Sequence, residues 1–480
     1  MTVSDYQNYI NGQFVDPSDY HDVLNPSTGE VITRAPESDA SAVDEAVAAA
    51  KAAQVEWAKL PAVERASYLV KLAAELRKHV DRFADYLVRE QGKTRELAGV
   101  EVNFTADYLD YMAGFARRIE GEVIPSDRPN ESIFLTYQPL GVVGGILPWN
   151  FPFFLIARKM APALVTGNTI VVKPSEETPI NAFEFAKLVD GTGLPAGVFN
   201  MVGGKGSVIG NAMTTHKDVD MISMTGSVGT GKKIMAAAAE NLTRVNLELG
   251  GKAPAIVLAD ADLDLAATAI WNSRVINTGQ VCNCAEVVLV EEAVHDELVE
   301  KLKEKFEATR YGDTSETDEL DMGPLINKAG VETCGKMVQD AVSAGATVVC
   351  GGEPATDKGD GFFFQPTILD GVEKGAPITR EEIFGPVLPI VTVKDLDEAI
   401  EFANGSDYGL TSSIYTENIH HAHKAARELL YGETYINREN FEAMQGFHAG
   451  RRNSGIGGAD GKHGIMEYVE THVTYIESKM

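Results

Sequence analysis

Cysteine is scarce in this chain: four in 480 residues, too few for a disulfide framework. Cys334 and Cys350 stand alone and read as partly buried thiols. Cys282 and Cys284 form a Cys-x-Cys pair, but no second Cys-x-x-Cys or His-x-x-x-His element supplies the further ligands a metal needs. A disulfide between residues two apart is strained. Apolar runs of about 18 residues are missing, so no membrane span is expected. The start, MTVSDYQNYINGQFV, lacks both the basic-then-apolar layout of a secretory signal and the Arg-rich character of a transit peptide, which leaves the cytoplasm as the expected location. Basic clusters are missing too. Lys and Arg number 42 against 70 Asp and Glu, a formal charge of −28. Such a surface repels nucleic acid and anionic membranes, so neither is expected as a partner. A well-solvated surface explains the charge; adaptation to salt is the sharper alternative. No internal repeat or low-complexity tract is present.

What is present is material for packed cores, with 44% hydrophobic and 23% charged residues. The length argues for more than one packed unit. The first part is helical in pattern. Asp39 can cap a helix that Pro61 ends, a second stretch runs from Glu64 to Gly92, and Thr94 can cap a third reaching about Ile119. Phe104, Tyr108, Tyr111 and Phe115 share one face of that third helix and read as core rather than cofactor contacts. Residues 121–140 carry turn residues and the β-prone run SIFLTY. From Gly141 the chain alternates. GVVGGIL, NTIVVKP, VFNMV and DMISMT read as buried strands between helical segments, the pattern of a parallel sheet covered on both faces. A second alternating region follows residue 250, with APAIVLA, EVVLVEE, ATVVCGG and LPIVTVKD as strands. The terminal HVTYIE has nothing sequential to pair with, so it must pair at a distance, in this chain or in another subunit.

Four local patterns carry chemistry. Strand DMISMT runs into Gly226-Ser227-Val228-Gly229-Thr230-Gly231 and a helix, where backbone N–H groups can meet a pyrophosphate; a plain turn looks the same. Lys173-Pro174-Ser175-Glu176 follows a strand, where a Lys and a Glu can take ribose hydroxyls; a solvated loop is the alternative. Glu248-Leu249-Gly250-Gly251-Lys252 sets an acid before paired glycines. A desolvated turn there raises a carboxylate toward a base's working range, while an exposed turn does not. In Asn277-Thr278-Gly279-Gln280-Val281-Cys282-Asn283-Cys284 a cysteine sits in an apparent turn, as an accessible thiol would.

With PWNFP at 148–152, KPSEETP, MTGSVGTG, LELGGK, GQVC and EEIFGP, in this order and spacing, the whole chain resembles the aldehyde dehydrogenase superfamily. The resemblance implies an α/β fold with a Rossmann-type cofactor domain (1–120 and 141–250), an α/β catalytic domain (251–458) and a small β oligomerisation arm (121–140 and 459–480). It implies a homodimer or homotetramer, NAD as cofactor, and no metal. It makes Cys282 the nucleophile, Glu248 the base that activates water, and Asn150 the oxyanion donor. Ile146, Leu147, Lys173, Ser175, Glu176, Gly206, Gly210, Ser227, Glu382 and Phe384 become cofactor residues. A carboxylate at Glu176 favours NAD by repelling a 2′-phosphate.

The substrate follows less directly. Arg158 lies on the helix after PWNFP, and Glu442 and His448 lie where the family closes its substrate mouth. With Asn283 beside the nucleophile they suggest a small hydroxylated aldehyde. GQVCNCAE and NFEAMQGFHAG are most similar to the lactaldehyde and glycolaldehyde branch of the family. A succinate semialdehyde dehydrogenase, with Arg158 as carboxylate clamp, or a broad-specificity enzyme, is the alternative.

Overall fold

The computed structural model describes residues 5–479. The alternation that begins at Gly141 builds an eight-stranded sheet around five parallel strands, in the order Arg244–Glu248, Met221–Thr225, Val142–Ile146, Thr169–Lys173 and Phe199–Met201. Every residue of Val142–Ile146 and Thr169–Lys173 is buried, as expected for strands covered on both faces. Because these strands are parallel, Ile146, Lys173, Thr225 and Glu248 finish along one edge. The short strands Asn8–Ile10 and Gln13–Val15 extend the sheet on one side, and Gly455–Ile456 pairs antiparallel with Leu247 and Glu248 on the other. A seven-stranded sheet follows, ordered Thr347–Cys350, Thr367–Asp370, Val387–Val393, Ala285–Glu291, Ala253–Val257, Thr411–Tyr415 and Glu433–Ile436. The chain leaves the first sheet at Glu248 and enters the second at Ala253.

The helix ends follow the caps read from the sequence. Asp39 accepts from the Ser41 N–H at the start of Ala40–Trp57, and Thr94 caps Arg95–Ala113. Gly92, at φ +76, closes the helix before it. The stretch expected as one helix up to Gly92 is two, Ala62–Arg77 and Val80–Gln91, broken at His79. Each half buries its own apolar stripe: Leu69, Leu72 and Leu76 in the first, Phe83, Leu87 and Val88 in the second. The terminal strand Val469–Glu477 finds its distant partner within the chain. It pairs antiparallel along its whole length with Glu131–Pro139, whose other edge takes Glu122–Ile124. Among the described residues no helix is long and apolar enough to cross a membrane.

One buried charge cluster ties the second sheet to the loops before it. Glu286, 1% exposed, sits in the strand Ala285–Glu291. Its carboxylate accepts from Lys252 Nζ at 2.8 Å and Arg274 at 2.7 Å, and from the backbone N–H groups of Ile383 at 2.9 Å and Phe384 at 3.2 Å. Arg274 also donates to the carbonyls of Gly279, Ala285 and Gly385. Burial pushes the Glu286 carboxyl up, but Arg274 and Lys252 outweigh it and keep the group ionised. Glu286→Ala leaves two buried cations without their counter-ion. The expected loss is about 3–5 kcal/mol of stability, read as a lower denaturation midpoint; an unchanged midpoint would show that the cluster does not hold these segments.

Candidate active site

Pro152 opens the helix Pro152–Thr166, but Phe151 at its N-cap supplies no side-chain acceptor for the free N–H groups. Glu101, from the helix Arg95–Ala113, takes that role and accepts from Phe153 N at 2.9 Å and Phe154 N at 3.0 Å. Its other oxygen pairs with Lys93, which in turn donates to the Asn150 carbonyl at 2.9 Å. Asn277 donates to the same carbonyl at 3.1 Å. Asn150 is thereby fixed. One N–H of its amide goes to the Gln280 carbonyl at 3.0 Å, and the other remains for a ligand in the cavity it lines.

That cavity is lined by Asn150, Glu248, Cys282 and Asn283 together with Arg158 and Glu442. Glu101 and Thr225 add polar groups, and much of the remaining wall is apolar, with Val100, Phe104, Phe154 and Phe441. Cys282 is half-buried and Cys284 is buried. The Cys284 thiol turns away and donates to the Val281 carbonyl at 3.0 Å, and burial pushes it up to about 12. The loop before Cys282 bends through Asn277 and Thr278, both left-handed at φ +48 and +60. The paired glycines of LELGGK have a packing reason. A Cβ on Gly251 would lie 2.4 Å from the Cys282 carbonyl oxygen, and one on Gly250 would strike the Glu382 carboxylate.

Glu248 does not sit in the turn expected from its neighbours; it is the last residue of a strand, 4% exposed. Its pKa runs opposite to the rise that a desolvated turn would give. Burial raises it, but Arg158 and Lys159 pull it below the ordinary range, helped by His448 and a 3.3 Å hydrogen bond from Thr225. It is therefore an ionised acceptor at neutral pH. Lys159, absent from the sequence-based set, donates to Ser223 at 3.2 Å and Thr225 at 3.0 Å, and burial lowers it to about 8.

Arg158 is not a free cation. Its guanidinium forks onto both oxygens of Asp460, lies 3.4 Å from Glu442 and 3.7 Å from Glu248. Asp460 reaches it from a left-handed backbone, φ +71; nothing in GADGKHG announced this partner. Glu442 also accepts from the Asn283 amide. His448, 2% exposed, is not among the residues lining that cavity, and its Nδ1 lies 2.9 Å from Glu433.

The expected cofactor residues follow the sheet edge. A second cavity, of about 400 Å³, is lined by Ile146, Gly206, Gly210, Thr230, Lys233 and Ile234 among others. Lys173 is buried and donates to the Pro174 carbonyl, with Glu176 at 3.8 Å. Glu176 accepts from Gly206 N at 2.6 Å, at the mouth of a π-helical turn, Gly206–Gly210. Leu147 and Ser175 are buried nearby in sequence, and Ser227 caps the helix Val228–Ala238 by accepting from Thr230 N. An apolar slot, a buried lysine and a capped helix N-terminus fit an adenine, a ribose and a pyrophosphate in that order. At the far end, Glu382 accepts from Gly251 N at 2.8 Å, and burial with the Glu286 charge pushes it up to about 8. Phe384 stands edge-on to Trp149, centroids 5.4 Å apart. Among the described residues no group of three or more His, Cys, Asp or Glu could hold a metal ion.

The site residues missed by sequence reading are mostly supports. Lys93, Glu101, Arg274, Glu286, Glu433 and Asp460 come from elements far apart in the chain, and no local pattern joins them. Phe104 was read as core alone; it packs on Phe154 at 4.8 Å and also lines the cavity.

Comparison with known proteins agrees with this geometry. The model of the aldehyde dehydrogenase family matches residues 14–474. Lactaldehyde dehydrogenase of Escherichia coli is 57% identical over 472 residues, 98% of each chain. A 3,6-anhydro-alpha-L-galactose dehydrogenase of a Vibrio species is 42% identical, over 98% of this chain and 99% of its own. The crystal structure of the Escherichia coli lactaldehyde dehydrogenase superposes with a TM-score of 0.98 over 99% of this chain and all of the other. A family model spanning nearly the whole length, together with relatives this similar, shows that the chain belongs to the aldehyde dehydrogenase family.

Proposed function

We propose that the chain oxidises a short 2-hydroxyaldehyde, lactaldehyde or glycolaldehyde, to the carboxylic acid with NAD. Cys282 attacks the carbonyl carbon, and the oxyanion of the resulting thiohemiacetal meets the free N–H of Asn150 and the Cys282 backbone N–H. NAD, bound along the sheet edge, supplies the hydride acceptor. Departure of hydride leaves a thioester on Cys282. Glu248 then takes a proton from water, whose hydroxide attacks the thioester and releases the acid.

The observation that carries the substrate reading is the state of Arg158. Its charge is already shared among Asp460, Glu442 and Glu248, so a substrate carboxylate would meet three carboxylates around one guanidinium. A neutral hydroxyl meets a donor in Asn283 and an acceptor in Glu442 instead. This favours the hydroxyaldehyde over succinate semialdehyde. The 57% identity to a lactaldehyde dehydrogenase points the same way. Of the four residues expected at the substrate, Arg158, Asn283 and Glu442 line the cavity, and His448 does not. For the cofactor, Glu176, whose carboxylate stands at the mouth of the adenosine slot, supports NAD by repelling a 2′-phosphate.

Steady-state kinetics with three aldehydes and both cofactors test this reading together. Lactaldehyde should exceed propionaldehyde in kcat/KM by roughly tenfold or more, because an unpaired buried polar group costs about 1–3 kcal/mol. Succinate semialdehyde should be poorer than either, and NAD should exceed NADP. Equal values for lactaldehyde and propionaldehyde, or a clear preference for succinate semialdehyde or NADP, would refute the corresponding part.

The same proposal assigns 1–120 and 141–250 to cofactor binding, 251–458 to the catalytic unit, and 121–140 with 459–480 to an arm joining subunits. The three-stranded sheet supports the arm, since it leaves Val123 74%, Tyr475 65% and Ile476 51% exposed, more apolar surface than a lone sheet edge tolerates. Light scattering at micromolar concentration should give a dimer or tetramer; a monomer would refute it.

A further inference from the structure

Asn283 directly follows Cys282 and is held at both ends. Its side-chain amide donates to Glu442, and its main-chain carbonyl accepts from Thr411 Oγ1 at 2.8 Å. Thr411 opens the strand Thr411–Tyr415, every residue of which is buried. That strand and the residue after it also anchor the loop that carries Glu442. Asn437 N donates to the Ile414 carbonyl at 2.9 Å, and the Asn437 side chain exchanges two bonds with the Thr416 main chain, each 2.9 Å. Tyr415 Oη donates to the Arg438 carbonyl at 3.1 Å. Further along the loop, Asn440 Nδ2 donates to Thr411 Oγ1 at 3.2 Å. One hydroxyl thus joins two segments that line the catalytic cavity.

These bonds close a ring. It runs from the Asn283 carbonyl to Thr411 Oγ1, to Asn440 Nδ2, through the main chain of Phe441 to the Glu442 carboxylate, and back to the Asn283 amide. The direction of each bond is fixed. A hydroxyl has one proton, and Thr411 gives it to a carbonyl oxygen that only accepts. Oγ1 is then an acceptor toward Asn440, which must present Nδ2. Among the described residues Asn440 Oδ1 meets no partner, although the residue is buried. An apolar side chain would spare that unmet acceptor, so the amide is explained by what its Nδ2 does.

Building on the hydroxyaldehyde reading above, we propose that Thr411 and Asn440 are positioning residues for substrate selection, which set the separation of Asn283 and Glu442, the donor and acceptor that read the substrate hydroxyl. Asn283, Phe441 and Glu442 line the cavity, whereas Thr411 and Asn440 do not and act only through them. A hydroxyl that accepts from one group and donates to another needs both within about 2.5–3.2 Å. Asn283 and Glu442 come from segments far apart in the chain, and the ring makes them move together. Cys282 has other supports. Arg274 grips the Gly279 carbonyl at 2.8 Å, and Gln280 is tied to Asn277 at 3.0 Å and to Ile326 N at 2.8 Å. Opening the ring therefore harms recognition of the hydroxyl more than attack on the carbonyl.

The test compares kcat/KM for lactaldehyde and for propionaldehyde, with NAD, in the full-length parent and three variants. Thr411→Val keeps the shape and removes both bonds. It should lower the ratio of lactaldehyde to propionaldehyde roughly three- to tenfold, the worth of about one net hydrogen bond. Thr411→Ser, which keeps the hydroxyl, should retain most of the parental ratio. Asn440→Leu leaves the bond from Thr411 to Asn283 in place and should lower the ratio by less. A merely structural role would slow both aldehydes equally, so an unchanged ratio in Thr411→Val overturns the proposal. A loss in Thr411→Ser as large as in Thr411→Val assigns the effect to the methyl group and overturns it too. If Thr411→Val fails to fold, Asn440→Leu decides by the same criterion. A parent that does not prefer lactaldehyde refutes the hydroxyaldehyde reading and this inference with it. A parent that does, with variants that keep its preference, refutes the inference alone.

Discussion

A single buried carboxylate, Glu286, holds the catalytic loops in register. Lys252 follows the glycines after Glu248, Arg274 grips the Gly279 carbonyl before Cys282, and Ile383 and Phe384 flank the Glu382 segment. Each of three separate segments, two loops and the end of the helix Leu263–Val275, must satisfy this charge or leave it unpaired in a dry interior, which costs several kcal/mol. The result is a set of spacings that no one loop could set alone. Gly250 and Gly251 complete it, since the Glu382 carboxylate and the Cys282 carbonyl occupy the room a Cβ would need. Close approach explains why these positions are glycine where a turn alone would tolerate other residues.

The same logic governs the other wall. Glu101 serves as the missing cap of the helix Pro152–Thr166 and, through Lys93, fixes the Asn150 carbonyl. One amide N–H is anchored and the other is left for a ligand, the oxyanion in the function proposed above, an arrangement prepared before any charge develops. Around Arg158 three carboxylates outnumber the one guanidinium, and the proposed function depends on this. A cation already satisfied by Asp460 orients Glu442 and keeps Glu248 ionised without drawing in an anionic substrate.

Much of this was legible in the sequence because the signals are local. Asp39, Thr94 and Gly92 end helices by their own chemistry, and buried parallel strands are apolar throughout. Motifs such as LELGGK and GQVC carry their order along the chain. What stayed hidden depends on distance. The helix break at His79 has no glycine or proline to mark it. The edge strands Asn8–Ile10 and Gln13–Val15 are three residues each, too short for a periodic pattern. The depressed pKa of Glu248 depends on Arg158 and Lys159, some ninety residues earlier, so the local reading of a desolvated turn gave the opposite sign. Asp460 meets Arg158, and Glu433 meets His448, only once the C-terminal segments have folded back.

The central claim is a division of labour in which Cys282 carries the acyl group and Glu248 releases it. Mass spectrometry of Glu248→Gln after a brief incubation with aldehyde and NAD tests this most directly. The account predicts one NADH per site and an acyl adduct on the peptide bearing Cys282, localised to that sulfur and not to Cys284, with slow release. Steady turnover at the parental rate with no trapped adduct, or an adduct on another residue, would contradict it.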